Sequence, residues 1–291
     1  MVKNKTLVYF FLTLLAIIWG TSFILIKKGL VSFSPIQLAS LRLTFAGIVL
    51  FPLFIRDLKK INKKNIPTFV VVAIFGNLIP YFLFAYAETK MDSSIVGALN
   101  GLTPFFTFII SYFVFKSGST TRQVIGIIIG LFGAVWLVTD GDLFTLSNMD
   151  PRYSLMVVGA CICYAITVNT IKAKLGDVSP ILAASFPLVI AMFIALPVAL
   201  FTGVFEVLKV DENAMGSLGY IVILGVIGTA IAIVLFNRLI QLTSAVTAAS
   251  VTYLIPVVAF FWGWADGEDM VWQNIVALVF ILSGVYLVKN K

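Results

Sequence analysis

The sequence predicts an all-α integral membrane protein with ten transmembrane helices, arranged as two inverted five-helix repeats. Three observations lead to this fold class. Hydrophobic residues make up 60% of the chain and charged residues 11%, with a mean hydropathy of +1.08, whereas a soluble domain contains about 25% charged residues. Apolar runs of membrane-spanning length follow one another along the chain, and its two halves resemble each other in sequence.

Ten apolar runs have the length of about 20 residues that one membrane crossing requires. The first run follows Lys3 and Lys5 but is longer than the apolar core of a signal peptide, so we expect it to be a span. Only the second and the eighth runs contain a charge, at Arg42 and Arg238. The predicted spans are 7–26, 35–55, 66–87, 93–115, 123–139, 153–171, 178–205, 214–242, 243–265 and 270–288.

The distribution of lysine and arginine predicts the orientation of the spans. With the N-terminus inside, 13 of the 20 basic residues fall in cytoplasmic segments, five fall outside, and two are the intramembrane arginines. Because basic loops remain on the cytoplasmic side, we expect both termini in the cytoplasm of a multi-pass protein of the cytoplasmic (inner) membrane. Lys27 and Lys28 are the main exception to this pattern.

An internal repeat divides the chain into two predicted units, 1–140 and 141–291. Residues 26–40 match residues 171–185 at an offset of 145, with eight of 15 positions identical. The match continues at an offset of 152 and closes at an offset of 150. Since each unit has five spans, an odd number, the second unit enters the membrane in the opposite sense. Such inverted repeats place a binding site near the middle of the membrane.

Several neutral polar residues are expected at mid-span depth, where they either bind a substrate or bridge helices. Asn77 and Thr229 are equivalent in the repeat, as are Asn100 and Thr252, so these four rank highest. The other polar candidates for substrate binding are Asn169 and Asn237.

Two charged residues and two prolines are further candidates. Arg42 lies about 10 Å along its helix from the outer end, where a charge either serves function or reaches toward the membrane surface. Glu88, at the outer end of the third span, is its nearest acidic partner by depth and the candidate for ion coupling. Pro104 and Pro256 occupy equivalent mid-span positions, as hinges or as passive kinks.

The composition argues against other classes of function. The chain has no histidine, and its two cysteines, Cys161 and Cys163, are too close in sequence for a disulfide within one helix. The spans contain no paired acids or metal-ligand cluster, so we expect no enzyme activity, no metal and no cofactor. The net charge of +7 belongs to the loops and does not indicate a nucleic-acid partner. The expected partners are a small-molecule substrate and membrane lipid, with the chain a monomer or a weak homodimer.

The sequence resembles the drug/metabolite transporter superfamily, in its EamA-like branch of amino acid and metabolite exporters. The resemblance rests on residues 18–23 (IWGTSF), 41–43 (LRL) and 94–104 (SIVGALNGLTP), together with the second-half counterpart at 245–256. It implies a ten-helix fold with a central cavity lined by helices 1, 3, 4, 6, 8 and 9. Known members handle amino acids, sugars or nucleotide-sugars, choline-like cations and drugs. Four aromatic candidates fall on these helices: Trp19, Tyr81, Tyr164 and Tyr253.

We therefore predict a secondary transporter that exports amino acids or similar small organic metabolites by alternating access. A cavity with one arginine suits a zwitterion or a carboxylate better than a polyphosphate, which needs several cations. The alternatives are an uptake carrier or facilitator for another small solute, such as a nucleobase, a sugar or a quaternary amine, and a passive channel.

Overall fold

A computed structural model describes residues 5–117, 120–139, 150–265 and 272–289 of the chain. Every regular element in these ranges is helical. Seven helical segments are long and apolar enough to cross a membrane, judged by length and composition, and three shorter segments are also apolar. The protein is therefore an integral membrane protein built from helices.

Up to residue 139, the described chain contains seven α-helices. A π-helix, Ile74–Leu78, joins the third to the fourth, and a 3-10 turn, Asn100–Leu102, joins the fifth to the sixth. Each joined pair forms one continuous apolar segment. The helices are α1 Lys5–Gly29, α2 Pro35–Asp57, α3 Ile66–Ala73, α4 Ile79–Ala87, α5 Ser93–Leu99, α6 Thr103–Phe113 and α7 Thr121–Thr139.

From residue 150 onward the same sequence of elements recurs with one short additional helix, α10. A π-helix, Val226–Ile231, joins α11 to α12, and a 3-10 turn, Ser250–Tyr253, separates α13 from α14. The helices are α8 Pro151–Lys174, α9 Pro180–Phe201, α10 Val204–Val210, α11 Ala214–Gly225, α12 Ala232–Leu242, α13 Ala245–Ala249, α14 Ile255–Ala265 and α15 Trp272–Lys289. The predicted boundary between residues 140 and 141, and the start of the predicted span 270–288, lie outside the described residues.

Two Ser-Pro pairs that match in the sequence repeat, Ser34-Pro35 and Ser179-Pro180, mark the start of a helix. The hydroxyl of Ser34 accepts a hydrogen bond from the backbone N–H of Gln37 (3.4 Å), and that of Ser179 accepts one from Leu182 (3.2 Å). A serine in this position satisfies one of the N–H groups that a helix leaves unpaired, and the proline after it needs no such partner. Local sequence therefore determines where α2 and α9 begin.

The predicted run 178–205 is divided into two helices. Gly203 has a φ of 79°, a left-handed conformation that favours glycine because it has no Cβ. As a result α9 ends at Phe201 and α10 begins at Val204.

The two candidate hinge prolines lie in the first turn of a helix, directly after a 3-10 turn. Pro104 follows Asn100–Leu102 at the start of α6, and Pro256 follows Ser250–Tyr253 at the start of α14. Proline lacks an N–H donor and is tolerated in a first turn. The spans are thus interrupted before the prolines, a different arrangement from the mid-helix kink that the sequence suggested.

The helices pack in a pattern that occurs twice. α1 contacts α11, α12 and α14, while α8 contacts α3, α4 and α6. α2 lies along α9, and α7 lies along α15. The α7–α15 contact is close because Gly284 of α15 lies against the backbone of Gly130, and a Cβ added to Gly284 would lie 2.6 Å from the Gly130 Cα. α1 and α8 are therefore the central helices, and the space between them is where a binding site can form.

Candidate functional site

A central cavity of about 100 Å³ lies between the two central helices and their neighbours. Its walls come from α1, α2, the α3–α4 segment, α8, α9 and α12, and from the two interrupted segments that contain Asn100 and Thr252. The expected lining by spans 1, 3, 4, 6, 8 and 9 is therefore extended by the second and seventh predicted spans, which correspond to α2 and α9 and contribute Arg42 and Pro187. No aspartate or glutamate is among the lining residues in the described ranges.

Arg42 is the charged group of the cavity, and two neighbours orient it. Its Nε donates a hydrogen bond of 2.8 Å to the Thr229 hydroxyl, and its guanidinium lies 3.9 Å from the centre of the Tyr81 ring. Thr229 in turn donates to the Leu224 carbonyl oxygen (2.9 Å). Neither Nη group of Arg42 has a hydrogen-bond partner within the described structure, although the side chain is only 6% exposed. A guanidinium held in this way presents a planar fork of donors to the cavity, which suits a carboxylate.

Thr229 and Asn77, equivalent in the repeat, occupy the two π-helices in the same way. The Asn77 amide donates to the Val72 carbonyl oxygen (3.1 Å), and the Thr229 hydroxyl donates to that of Leu224, in each case five residues back. A π-turn disturbs the regular i to i−4 bonding of the helix, so a side chain that reaches a carbonyl there stabilises the wider turn. Asn77 also lines the cavity, and its Oδ1 is buried without a partner in the described part of the chain.

Two further amides face the cavity. Asn100 Oδ1 accepts a hydrogen bond from the Thr103 hydroxyl (3.1 Å). Asn237 on α12 is 1% exposed, and neither its Oδ1 nor its Nδ2 has a partner among the residues described. Buried polar groups are normally hydrogen-bonded, so an unpaired amide on a cavity wall requires an explanation.

Aromatic rings form much of the remaining wall. Trp19 donates its indole N–H to the Gly228 carbonyl oxygen (3.1 Å) and meets the Phe236 ring edge-on, with ring centres 4.9 Å apart. Tyr164 stacks on Phe84 at 5.9 Å. The cavity thus joins one cation and several amides to flat apolar surfaces.

Eight of the eleven residues predicted to bind substrate line this cavity. They share a position on the central walls: Trp19, Arg42, Asn77, Tyr81, Asn100, Tyr164, Asn237 and Thr252. Thr229 lies behind the wall, where it holds Arg42. Thr252 has its hydroxyl bonded to the Ala249 carbonyl oxygen (2.9 Å), so it presents mainly its methyl group.

Two predicted residues lie away from the central cavity. Asn169 donates to the Thr107 and Ala165 carbonyl oxygens and faces a second cavity, between α6 and α8. Tyr253 is fully buried, packs against Gly130 of α7, and donates its hydroxyl to the Ile127 carbonyl oxygen (3.2 Å). Both side chains join helices, which is the commoner role of a polar group in a membrane bundle.

Glu88 and Arg238 also differ from their expected surroundings. Glu88 makes no ion pair with Arg42, and both of its carboxylate oxygens are buried without a hydrogen-bond partner in the described ranges. The charges of Arg42 and Lys27 nevertheless act on it. Arg238 is exposed on α12, as expected for an anchor near the end of a span.

Four lining residues were not selected as substrate-binding candidates from the sequence, and the repeat could have pointed to three of them. Ser22 and Thr167 are equivalent at the offset of 145, and so are Arg42 and Pro187. The same offset relates Trp19 to Tyr164. Applying it to each mid-span residue, rather than only to matched segments, would have found Ser22, Thr167 and Pro187; Thr103, beside Asn100, is the fourth.

Comparisons with known proteins assign a family. The sequence pattern of the EamA-like transporter family matches residues 6–139 and, separately, residues 152–289. An uncharacterised transporter of Bacillus subtilis strain 168, YyaM, is 24% identical over 96% of this chain and 92% of its own length. An S-adenosylmethionine/S-adenosylhomocysteine transporter of Chlamydia muridarum is 25% identical over 97% of this chain and 91% of its own. A protein of known crystal structure superposes with a TM-score of 0.72 at 16% identity, over 98% of this chain and 96% of that one.

Proposed function

The chain belongs to the EamA-like transporter family and is a membrane transporter, and from this premise we propose that it is a secondary carrier for amino acids or similar small metabolites. It exports them from the cytoplasm by alternating access, from a multi-pass position in the cytoplasmic membrane with both termini inside. The observation that carries the proposal is the orientation of the Arg42 guanidinium, which offers both Nη groups to the central cavity.

Ten spans in two inverted halves are part of this proposal. The family pattern matches the chain twice, and the π-helices Ile74–Leu78 and Val226–Ile231 recur at equivalent positions. Contacts recur as well: a Cβ added to Gly76 would lie 2.8 Å from Thr167, and one added to Gly228 would lie 3.0 Å from Ser22. Matched walls on both sides of a cavity support a mechanism in which the halves exchange roles as the site opens to alternate sides.

The head group of an α-amino acid fits the polar end of the cavity. Its carboxylate would bind the Nη fork of Arg42, and its ammonium group would donate to the unpaired Oδ1 of Asn77. Asn77 precedes Tyr81 by four residues, so the two side chains lie on neighbouring turns of one helix face, and Tyr81 contacts Arg42. The aromatic rings around Trp19 would then contact the substrate side chain.

The chlamydial relatives favour this substrate class. The molecules in their printed name, S-adenosylmethionine and S-adenosylhomocysteine, are both α-amino acids. We extend to this chain the amino acid head group that these two molecules share, recognised by Arg42.

Pro104 and Pro256 serve in this mechanism as paired hinges. Each follows a 3-10 turn within an apolar segment, where a helix has fewer regular hydrogen bonds to break when it bends. Glu88, buried close to the charge of Arg42, is the proposed site of proton coupling.

Flux into proteoliposomes tests the carrier mechanism. The panel contains leucine, glutamine, S-adenosylhomocysteine, glucose and choline, each with and without a proton gradient. We expect saturable flux and counterflow of the amino acids. Arg42→Gln should raise their half-saturation concentration about 10- to 100-fold, because a charge-assisted hydrogen-bond pair is lost.

Arg238→Gln is the matched control, since it makes the same substitution at an exposed arginine of α12. It should leave the half-saturation concentration unchanged. Flux that never saturates would point to the passive channel. If no compound of the panel shows saturable flux, the carrier assignment fails, and equal behaviour of the two arginine variants would remove Arg42 from the binding site.

A further inference from the structure

The buried amide of Asn237 is the feature of the cavity that the amino acid head group does not use. Its side chain is on the cavity wall, its exposed fraction is 1%, and both its donor and its acceptor have no partner within the described residues. An unpaired buried amide is unfavourable, so a group that is supplied only at times, such as a transported ligand, is a natural partner for it.

Asn237 lies far along the α11–α12 segment from Thr229, the residue that binds Arg42. Arg42 is bonded to Thr229, and Asn237 is eight residues further along the same segment. At 1.5 Å per residue the two polar positions are separated by about 12 Å along the axis. A ligand that reaches both must therefore be longer than an ordinary amino acid, since the carboxylate and the carboxamide of extended glutamine are about 6 Å apart.

The wall between these two positions is aromatic. Trp19 is bonded to Gly228 and meets Phe236, the residue before Asn237, edge-on at 4.9 Å. The indole thus covers the stretch of the helix between the arginine end and the amide end. A flat or apolar portion of a ligand would contact rings here, while its two ends meet polar groups.

We propose that this transporter selects α-amino acids whose side chain carries a planar amino-substituted nitrogen heterocycle, and that Asn237 is the residue that recognises the heterocycle. The proposal rests on the proposed function, because it places the amino acid head group at Arg42. A carboxamide offers one donor beside one acceptor, and an aminopurine edge offers an acceptor beside a donor, so the two pair through two hydrogen bonds.

The test compares a long and a short substrate of the panel described above in the full-length chain. Asn237→Leu has similar volume but no hydrogen-bonding group. It should weaken the binding of S-adenosylhomocysteine about 10- to 100-fold, the value of one bidentate base contact, and weaken the binding of leucine much less. Arg42→Gln should weaken the binding of both substrates. The two variants together therefore separate recognition of the head group from recognition of the ring.

A change in the ligand provides a second measurement that needs no variant. The analogue of S-adenosylhomocysteine that lacks the 6-amino group should bind the wild-type protein weakly, with the affinity that S-adenosylhomocysteine has for Asn237→Leu. The Asn237→Leu variant should bind S-adenosylhomocysteine and this analogue equally. If Asn237→Leu retains the wild-type affinity for S-adenosylhomocysteine while leucine flux saturates, the inference is wrong and the proposed function stands. If no amino acid shows saturable flux, the proposed function itself fails.

Discussion

Glu88, a single buried carboxyl, is the proposed link between transport and the proton gradient. Its side chain is 9% exposed and both oxygens lack hydrogen-bond partners in the described structure. Burial favours the neutral form of such a group, whereas the nearby charges of Arg42 and Lys27 favour its anion. The balance between these effects changes when the site gains water or when a substrate carboxylate occupies Arg42. We propose that protonation of Glu88 is thereby coupled to substrate binding.

Glu88→Gln should therefore uncouple transport from protons. The glutamine remains neutral in every state, so we expect flux through the variant to lose its acceleration by an imposed proton gradient while counterflow continues. Parallel flux measurements in proteoliposomes check this. Glu206→Gln, the same substitution at an exposed acid of α10, should keep the wild-type response. Full acceleration in Glu88→Gln would exclude Glu88 from coupling.

For single residues, the sequence could identify candidates that line the cavity but not the direction in which every side chain points. Asn77 and Asn237 were accessible to prediction because amides at mid-span depth are few and costly. Tyr253 follows Thr252 directly, yet its ring points to Gly130 on α7 while Thr252 lies on the cavity wall. Which way such neighbours point depends on the 3-10 turn Ser250–Tyr253 and on the packing of α7. Neither was evident from spacing alone.

The α7–α15 pair depends on glycines rather than on interlocking side chains. Gly126 and Gly133 of α7 face α15, and each would place an added Cβ within 3.0 Å of an α15 atom, while Gly130 offers its backbone to Gly284 of α15. Small residues of this kind allow two membrane helices to approach closely, so van der Waals contact extends along the backbones. Both helices owe their position to this contact, because α15 packs chiefly against α7.

Gly284→Ala should lower the stability of the whole protein. The new methyl group would lie 2.6 Å from Gly130 Cα and N, both backbone atoms that cannot move aside alone. Overpacking of this kind costs about 1–3 kcal/mol, which thermal unfolding in detergent would register as a lower midpoint. Gly216→Ala is the control, since a Cβ there has no neighbour within 4 Å. Equal midpoints for the two variants would contradict the close helix contact.

The helices show which structural features can be predicted from sequence patterns. Helix starts at Pro35 and Pro180 follow from local capping, and apolar length identifies most segments. The π-helices Ile74–Leu78 and Val226–Ile231 were not predicted, because hydropathy is the same for every helix type. They depend on side chains such as Asn77 that bond to a carbonyl five residues earlier, a contact that no periodicity reveals.

For the whole molecule, the proposed alternating access relies on two halves that sit in the membrane in opposite senses. The contacts of α1 with α11 and α12, and those of α8 with α3 and α4, support such an arrangement. The basic residues of the 58–65 segment support its absolute direction, because lysine and arginine remain on the cytoplasmic side. The orientation therefore remains a prediction that labelling can test directly.

Single introduced cysteines test it. Lys63 and Lys209 are both exposed and lie in segments predicted to be cytoplasmic and external, respectively. With a membrane-impermeant maleimide, Lys209→Cys should be modified in intact cells, and Lys63→Cys only after the cells are permeabilised. The native Cys161 and Cys163 are buried and free, so wild-type protein provides a background of little labelling. Modification of Lys63→Cys in intact cells, with Lys209→Cys protected, would reverse the orientation. Arg42 would then lie nearer the cytoplasm than the outer surface, and uptake would replace export as the direction to be tested first.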